Sequence, residues 1–152
     1  MKAVIQRVES AAVSVDGSVV GKINGGFLVL LGVGSDDTER DCEKLAQKMV
    51  GLRIFSDENG KINRSLKDVG GELLIISQFT LYADCVKGNR PNFVTAKEPA
   101  EAQRLYELFC ELCKREVPTV ERGVFGAEMR VELVNDGPFT IVLECDNGEI
   151  SS

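Results

Sequence analysis

The sequence predicts one α+β domain, in which a mainly antiparallel, barrel-like β-sheet carries two inserted helices. Apolar residues mostly occur in short runs or alternate with polar ones, a pattern typical of strands. Only two stretches, 34–51 and 98–115, repeat apolar residues at helical spacing. The 152 residues contain no internal repeat, linker or low-complexity segment, and their number suits one domain. We expect this domain to occupy residues 1–145, with residues 146–152 forming a polar, frayed tail.

Four strands are predicted before the first helix. Lys2–Val8 and Ala11–Val15 alternate apolar and polar residues, and Asp16-Gly17 is a strong two-residue hairpin signal. The chain returns from that turn through Ser18–Ile23. Phe27–Leu31 is apolar at every position, as in a strand that is buried on both faces. This run therefore predicts a central strand of the sheet.

Two helices are predicted between the strands. The first follows Gly34–Thr38, whose hydroxyl and carboxylate groups can cap free backbone N–H groups, and it ends near Gly51. Capping explains the carboxylate pair Asp36-Asp37 more easily than metal binding does. The second helix begins near Glu98-Pro99, since proline is tolerated in the first turn. The residues predicted to be buried are Cys42, Leu45, Ala46, Met49 and Val50 in the first helix, and Ala102, Leu105, Tyr106, Phe109 and Leu112 in the second.

The second half of the chain adds another buried strand and a predicted hairpin. The strand predicted at Glu72–Ile76 contains the second strongly apolar run, Leu73–Ile76, which we expect to pair with Phe27–Leu31. Met129–Leu133 and Phe139–Glu144 both alternate apolar residues with polar or charged ones. Asn135–Pro138 lies between them and has the composition of a tight turn. These two runs are therefore predicted to form a closing antiparallel hairpin.

The composition excludes several kinds of enzyme. The chain has no histidine, which rules out Ser-His-Asp and Cys-His catalysis and histidine-ligated zinc. Its five cysteines are an odd number scattered over different elements, so we expect them to be reduced and mostly packed. A net charge of −6 disfavours nonspecific nucleic-acid binding through bulk charge. Neither a signal peptide nor a membrane-spanning run is recognisable, so a cytoplasmic protein is expected.

The most unusual stretch is Ser77–Thr80, which follows the apolar run Leu73–Ile76. The simplest interpretation is that its hydroxyl and amide groups pair with neighbouring backbone, because an unpaired buried polar group costs about 1–3 kcal/mol. In a straight strand, however, Ser77 and Thr80 would point to opposite faces. If both serve one site, the strand must bend near Gln78-Phe79. Such a bend exposes backbone N–H groups, which can stabilise an oxyanion without histidine.

The dipeptide Gly137-Pro138 allows two interpretations. One is an ordinary tight turn within the predicted hairpin. The other is a cis peptide bond, which occurs at only about 5–6% of X-Pro bonds in folded proteins and then has a specific structural purpose. The sequence pattern leaves both interpretations open.

Two separate motifs carry a resemblance to a known family. Ser77-Gln78-Phe79-Thr80-Leu81, taken together with Asn135–Thr140, resembles the motif pair of the D-aminoacyl-tRNA deacylases, also called D-tyrosyl-tRNA(Tyr) deacylases. The likeness extends from the N-terminus to about residue 143, and two motifs at this separation make it specific. Three further segments resemble patterns of the family, namely Val4–Val8, Arg53–Asp57 and Gly88–Pro91.

The resemblance implies a homodimeric hydrolase that cleaves the ester joining a D-amino acid, or glycine, to the 3′ end of a tRNA. Such an enzyme contributes to chiral proofreading in translation. Its partners would be D-aminoacyl-tRNA, glycyl-tRNA and a second copy of the chain, with no membrane, DNA, cofactor or metal. The resemblance also implies that the Gly137-Pro138 peptide is cis. This dipeptide would enter the active site of the other subunit, where its carbonyl oxygens exclude L-amino acids.

The resemblance also assigns residues to the site. Thr80 is implied to be either a nucleophile or a group that positions the substrate. No candidate base lies near it in sequence, and a free hydroxyl is a weak nucleophile, so we favour the positioning role. The residues implied to be catalytic are Ser77, Gln78, Phe79 and Thr80, and those implied to bind substrate are Arg7, Phe125 and Met129.

Two functions of other kinds remain open at the level of sequence. A nonenzymatic RNA-binding module would use the polar strand end for recognition, although aromatic residues make up only 6% of the chain and tryptophan is absent. A histidine-free hydrolase of small-molecule esters would use the same groups without RNA. If RNA is bound, the candidate contacts are Lys87, Arg90, Lys97 and Arg122, each of which is also explained as a solvated surface charge.

Overall fold

Nine strands, two α-helices and one 3-10 turn make up the chain, and the computed structural model describes residues 1–152. In chain order they are β1 (Lys2–Val15), β2 (Ser18–Ile23), β3 (Gly26–Gly32), α1 (Glu39–Val50), β4 (Phe55–Ser56), β5 (Ile62–Arg64), β6 (Glu72–Ser77), the 3-10 turn (Phe79–Tyr82), α2 (Pro99–Lys114), β7 (Val120–Arg122), β8 (Arg130–Asp146) and β9 (Glu149–Ile150). The main sheet has the order β7-β6-β3-β1-β8-β9, with β2 also paired to β1. Both helices contribute to the larger core cluster. The predicted α+β class with two inserted helices is confirmed.

The sheet is mixed, because its β7 side contains two parallel pairs, but most of its pairs are antiparallel as predicted. β3 and β6 pair in parallel from Gly26 opposite Glu72 to Leu31 opposite Ser77, which confirms that the two apolar runs are neighbours. β6 and β7 form a second parallel pair. Parallel neighbours need a crossover connection, and α1 lies in the crossover from β3 to β6. The other pairs in this sheet are antiparallel.

β1 is one long strand, whereas the sequence predicted separate strands at Lys2–Val8 and Ala11–Val15. Its first half pairs with β3 and its second half with β2. Its register against β8 shifts twice between residues 6 and 10, and irregularities of this kind bend a strand without ending it. β2 consequently crosses close to β7, where a Cβ atom on Gly21 would lie 2.8 Å from the Arg122 carbonyl oxygen. This curvature gives the sheet its barrel-like form.

β8 is also continuous, and the predicted closing hairpin is wrong. Both predicted strands pair with β1 in the same direction. Gln6 pairs with Thr140 and Val8 pairs with Asn135. Between these two pairs β1 spans two residue positions and β8 spans five. The intervening residues leave the ladder as a bulge. Because β1 is long enough to pair with both halves, the chain keeps its direction, and the exposed Gly137-Pro138 stands out from the strand.

Both predicted helices are confirmed. Thr38 is the N-cap of α1, and its backbone N–H donates to the Asp41 carboxylate at 2.9 Å. At α2 the Glu98 carboxylate accepts from two N–H groups of the first turn at 3.3 and 2.7 Å, and Pro99 is the first helical residue. The predicted stripes are buried apart from Leu112, which is partly buried. Neither helix combines the length and the apolar character needed to cross a membrane.

The C-terminal residues form a short hairpin instead of a frayed tail. β9 pairs with the last two residues of β8 across a turn with positive φ at Asn147 and Gly148. The Gly148 N–H donates to the buried Asp41 carboxylate at 2.9 Å. Burial alone would raise the pKa of Asp41, but this bond and the one from Thr38 outweigh burial and hold that pKa below its usual value. The charged carboxylate thereby ties the hairpin to α1.

Candidate active site

A cavity of about 600 Å³ opens at the carboxyl end of β6. Ligand sites in open sheets with parallel strands commonly lie at this end of the strands. Ser77, Gln78 and Phe79 line the cavity from the end of β6, and Phe125 and Met129 line it from the segment before β8. The structure therefore brings these residues together from two segments far apart in the chain.

β6 ends at Ser77, and the chain then enters the 3-10 turn. The bend predicted near Gln78-Phe79 is confirmed, and it ends the strand. The first hydrogen bond of the turn runs from the Leu81 N–H to the Gln78 carbonyl at 3.3 Å. The N–H groups of Phe79 and Thr80 precede this bond and have no partner inside the turn. In addition, the Gln78 side-chain amide donates to the Thr80 hydroxyl oxygen.

Aromatic rings surround the start of the 3-10 turn. The Phe79 ring is 56% exposed, and it meets Phe93 edge-on with 4.9 Å between ring centroids. Phe93 also lines the cavity, and it lies on a loop that carries the exposed cations Lys87 and Arg90. No role was predicted for Phe93, whose only signal in the sequence is an aromatic residue in a glycine- and proline-rich loop. A large apolar surface therefore remains open to solvent at the site.

The 3-10 turn is fastened at its other end by Tyr82. The Tyr82 hydroxyl donates to the Asp37 carboxylate at 3.3 Å. Asp37 also accepts from the Gly34 N–H at 2.5 Å and from the buried α-ammonium group of Met1 at 2.6 Å. Burial, together with the Asp37 charge, raises the pKa of Tyr82 above its usual value, so Tyr82 remains a donor. Asp37 was predicted to cap α1, but its carboxylate instead joins Met1 before β1, Gly34 after β3 and the 3-10 turn.

Arg7 lies at the base of the β8 bulge and does not line the cavity. Its guanidinium donates to the Ile54 carbonyl at 2.5 Å and to the Asp136 carbonyl at 3.2 Å, and it pairs with the Asp136 carboxylate at 3.1 Å. It also stands 4.4 Å from the centre of the Phe139 ring, within range of a cation–π contact. Arg7 is only 8% exposed. It therefore holds the chain on both sides of Gly137-Pro138.

Gly137 and Pro138 do not line the cavity. Both residues are exposed, and the peptide bond between them is cis. Asn135 supports the near side of this segment, since its side-chain amide donates to the Arg7 carbonyl at 2.9 Å and to the Phe139 carbonyl at 3.1 Å. The chain therefore presents the two motifs on separate parts of its surface.

Few charged groups lie at the cavity. Lys97 and Glu98 line it, and the Lys97 ammonium donates to the Ser35 carbonyl at 2.9 Å. Arg122 pairs with Glu111 at 2.8 Å. No cluster of three or more Cys, Asp or Glu side chains is arranged to hold a metal ion. Apart from Lys97 and Glu98, the chemistry available at the site is that of backbone N–H groups, hydroxyls and an amide beside an apolar wall.

Comparison with known proteins identifies the family. Residues 4–144 match the model of the family described as D-Tyr-tRNA(Tyr) deacylase. A D-aminoacyl-tRNA deacylase of Thermosipho africanus (strain TCF52B) is 58% identical over 144 residues, covering 95% of this chain and 97% of that protein. A D-aminoacyl-tRNA deacylase of Clostridium novyi (strain NT) is 54% identical over 144 residues, with coverage of 95% and 97%.

Solved structures show the same fold. A c-Myc DNA Unwinding Element Binding Protein superposes with a TM-score of 0.90 and 42% identity, covering 96% of this chain and 99% of that one. A probable eukaryotic D-amino acid tRNA deacylase superposes with a TM-score of 0.78 and 19% identity, covering 93% and 97%, and this likeness concerns the fold alone. The family match and the relatives at more than half identity show that the chain belongs to the D-Tyr-tRNA(Tyr) deacylase family.

Proposed function

We propose that this protein is a hydrolase that cleaves the ester between a D-amino acid and the 3′-terminal ribose of a tRNA. The observation that carries the proposal is the end of β6, where Ser77–Thr80 turns away from the sheet beside an apolar cavity. Membership of the family, and relatives named D-aminoacyl-tRNA deacylase, agree with this activity. Aminoacyl-tRNAs are consumed in translation, so the proposal includes a cytoplasmic location and a role in translation quality control.

The proposed reaction depends on backbone donors. Water attacks the ester carbonyl carbon, and the N–H groups of Phe79 and Thr80 donate to the oxyanion that forms. The bond between this carbon and the ribose oxygen then breaks, and a proton from the attacking water passes to the ribose oxygen. The terminal 2′-hydroxyl of the tRNA assists this transfer. Thr80 has a positioning role in this proposal. Its hydroxyl oxygen accepts from the Gln78 side-chain amide, and an amide cannot act as the base that a nucleophilic hydroxyl needs.

Discrimination between D- and L-amino acids is proposed to come from a second subunit. Gly137 and Pro138 stand out from β8 and are held at their base by Arg7. In a homodimer they would enter the cavity of the partner and set their carbonyl oxygens against the amino acid at its Cα atom. Val134 and Val142, each 50% exposed on β8, offer apolar surface for the contact between subunits.

Glycyl-tRNA belongs to the proposed substrates for a steric reason. A backbone filter that excludes the L side chain at Cα makes no contact with a D side chain. Glycine carries neither side chain, so the same filter admits it. We therefore expect activity on several D-aminoacyl-tRNAs and on glycyl-tRNA.

Three substrates separate this function from the alternatives. The protein is incubated with D-Tyr-tRNA, L-Tyr-tRNA and a free D-tyrosine ester, and release of tyrosine is followed. We expect rapid hydrolysis of D-Tyr-tRNA only. A nonenzymatic RNA-binding module would release tyrosine from none of them, and a small-molecule esterase would cleave the free ester at least as fast. Sedimentation provides the test of the homodimer.

A further inference from the structure

A second hollow, of about 440 Å³, lies at the C-terminal end of α1 and shares no residue with the cavity at β6. Its charged side chains are those of Lys44, Lys48 and Arg53, and it contains no carboxylate. We call it the basic groove. The remaining lining residues are Gln47, Gly51, Leu52 and Ile150.

The cations of the basic groove have no partners within the chain. None of Lys44, Lys48 and Arg53 takes part in an ion pair. A neighbouring hollow, which shares Gln47 and Gly51 with the basic groove, differs in charge because its Lys67 is paired with Glu116. In a protein of net charge −6, three unpaired cations around one hollow are a local concentration of positive charge. Such a concentration favours an anionic partner.

The positive charges also extend along the helix. Arg40, Lys44 and Lys48 are spaced four residues apart, which places them on one face of α1 in steps of about 6 Å. Arg40 lies against the C-terminal hairpin, where a Cβ atom on Gly148 would approach its Cδ to 2.7 Å. A small anion would meet one of these cations at a time. A nucleic-acid strand, whose successive phosphates are spaced by a similar distance, would meet several.

The basic groove is joined to the segment proposed to enter the partner's active site. Arg53 directly precedes Ile54, whose carbonyl accepts from the Arg7 guanidinium at 2.5 Å. The same guanidinium donates to the carbonyl of Asp136, next to Gly137-Pro138. From this arrangement we infer that the basic groove of one subunit binds the phosphate backbone of the tRNA whose 3′ end occupies the partner's cavity. This inference rests on the proposed function, and it adds an RNA-binding surface outside the catalytic cavity.

The test compares two triple variants of the full-length protein. The groove variant carries Lys44→Gln, Lys48→Gln and Arg53→Gln. The control variant carries Lys61→Gln, Lys114→Gln and Arg115→Gln, which removes the same charge from exposed cations that also lack ion pairs. The value of kcat/KM is measured between 50 and 200 mM salt for a D-aminoacyl-tRNA. It is measured in parallel for a D-aminoacyl ester of adenosine, which lacks the phosphate backbone.

The groove variant should lose salt dependence on tRNA. Each neutralised phosphate contributes about 0.7–0.9 to the logarithmic salt slope, so losing three contacts makes the slope shallower by about 2–3. Over this fourfold range of salt the wild-type value should then fall about 20- to 40-fold more than that of the groove variant. The expected change lies in KM for tRNA, with kcat and the adenosine ester unaffected. The control variant should keep the wild-type slope.

Two results would overturn the inference. One is a groove variant with the wild-type KM and salt slope on tRNA, and the other is a control variant that loses as much slope as the groove variant. Failure of the proposed function has a different signature, namely wild-type protein that cleaves neither ester. In that case the affinity for uncharged tRNA, measured over the same salt range, still decides whether the groove binds RNA.

Discussion

Replacing Asp37 with alanine should destabilise the protein more than its position in a loop indicates. The α-ammonium group of Met1 is fully buried and has two partners, the Asp37 carboxylate at 2.6 Å and the Cys145 carbonyl at 2.7 Å. The substitution leaves this charge buried with one neutral acceptor. Removing one member of a buried ion pair costs about 3–5 kcal/mol. The Gly34 N–H and the Tyr82 hydroxyl lose an acceptor as well.

The expected loss can be measured by thermal unfolding followed by circular dichroism. For a chain of 152 residues, each kcal/mol lowers Tm by about 2–4 °C, so Asp37→Ala should lower Tm by about 6–20 °C. Asp36→Ala is the matched control, because Asp36 is adjacent and exposed, and its Tm should stay within about 2 °C of wild type. If Asp37→Ala also unfolds within 2 °C of wild type, the buried ion pair does not stabilise the fold as argued.

Three further predictions concern the active site and the thiols. Thr80→Ala should retain measurable single-turnover deacylation on intact tRNA, whereas complete loss together with an acyl-threonine trapped in the wild type would establish Thr80 as the nucleophile. Gly137→Val should impair the site across the dimer, because the segment would no longer fit beside the amino acid, and an unchanged ratio of D- to L-Tyr-tRNA hydrolysis would count against the filter. All five cysteines are free and only Cys85 is exposed, while burial raises the pKa of Cys42 to about 12 and that of Cys110 to about 11. A thiol reagent at pH 8 should therefore modify one cysteine per native chain, and Cys85→Ser should abolish this reaction; fast modification of a second thiol would contradict the packing.

The two sequence motifs lie on separate parts of the chain's surface. Ser77, Gln78 and Phe79 line the cavity, whereas Arg7 binds the chain beside Gly137-Pro138, which does not line it. A monomer therefore has an open cavity with the Phe79 ring 56% exposed. Both observations agree with a site that a second subunit completes, which is the proposal that the substrate and sedimentation experiments test.

Local patterns were sufficient for the elements whose partners are local. The stripe from Cys42 to Val50 predicted α1, and Asp16-Gly17 predicted the turn between β1 and β2, where both residues have positive φ. The apolar runs at 27–31 and 73–76 predicted two central strands, because a strand that is apolar at every position must be buried on both faces. The predicted bend after Ser77 followed from side-chain alternation, and it too is a local property.

Long-range pairing decided the rest. A tight-turn composition at Asn135–Pro138 predicted a hairpin, but whether a chain reverses there depends on whether a partner strand is long enough to pair with both flanks, as β1 is. From the sequence, Asp37 is predicted to be a helix cap. In the folded chain its carboxylate instead accepts hydrogen bonds from Met1 and Tyr82, which are distant in sequence. The sequence by itself determined which chemistry is excluded at the end of β6, because the chain has no histidine. Only the tertiary structure placed Phe125 and Met129 across from Ser77 and set Gly137-Pro138 apart from them, because those distances depend on how distant strands pair.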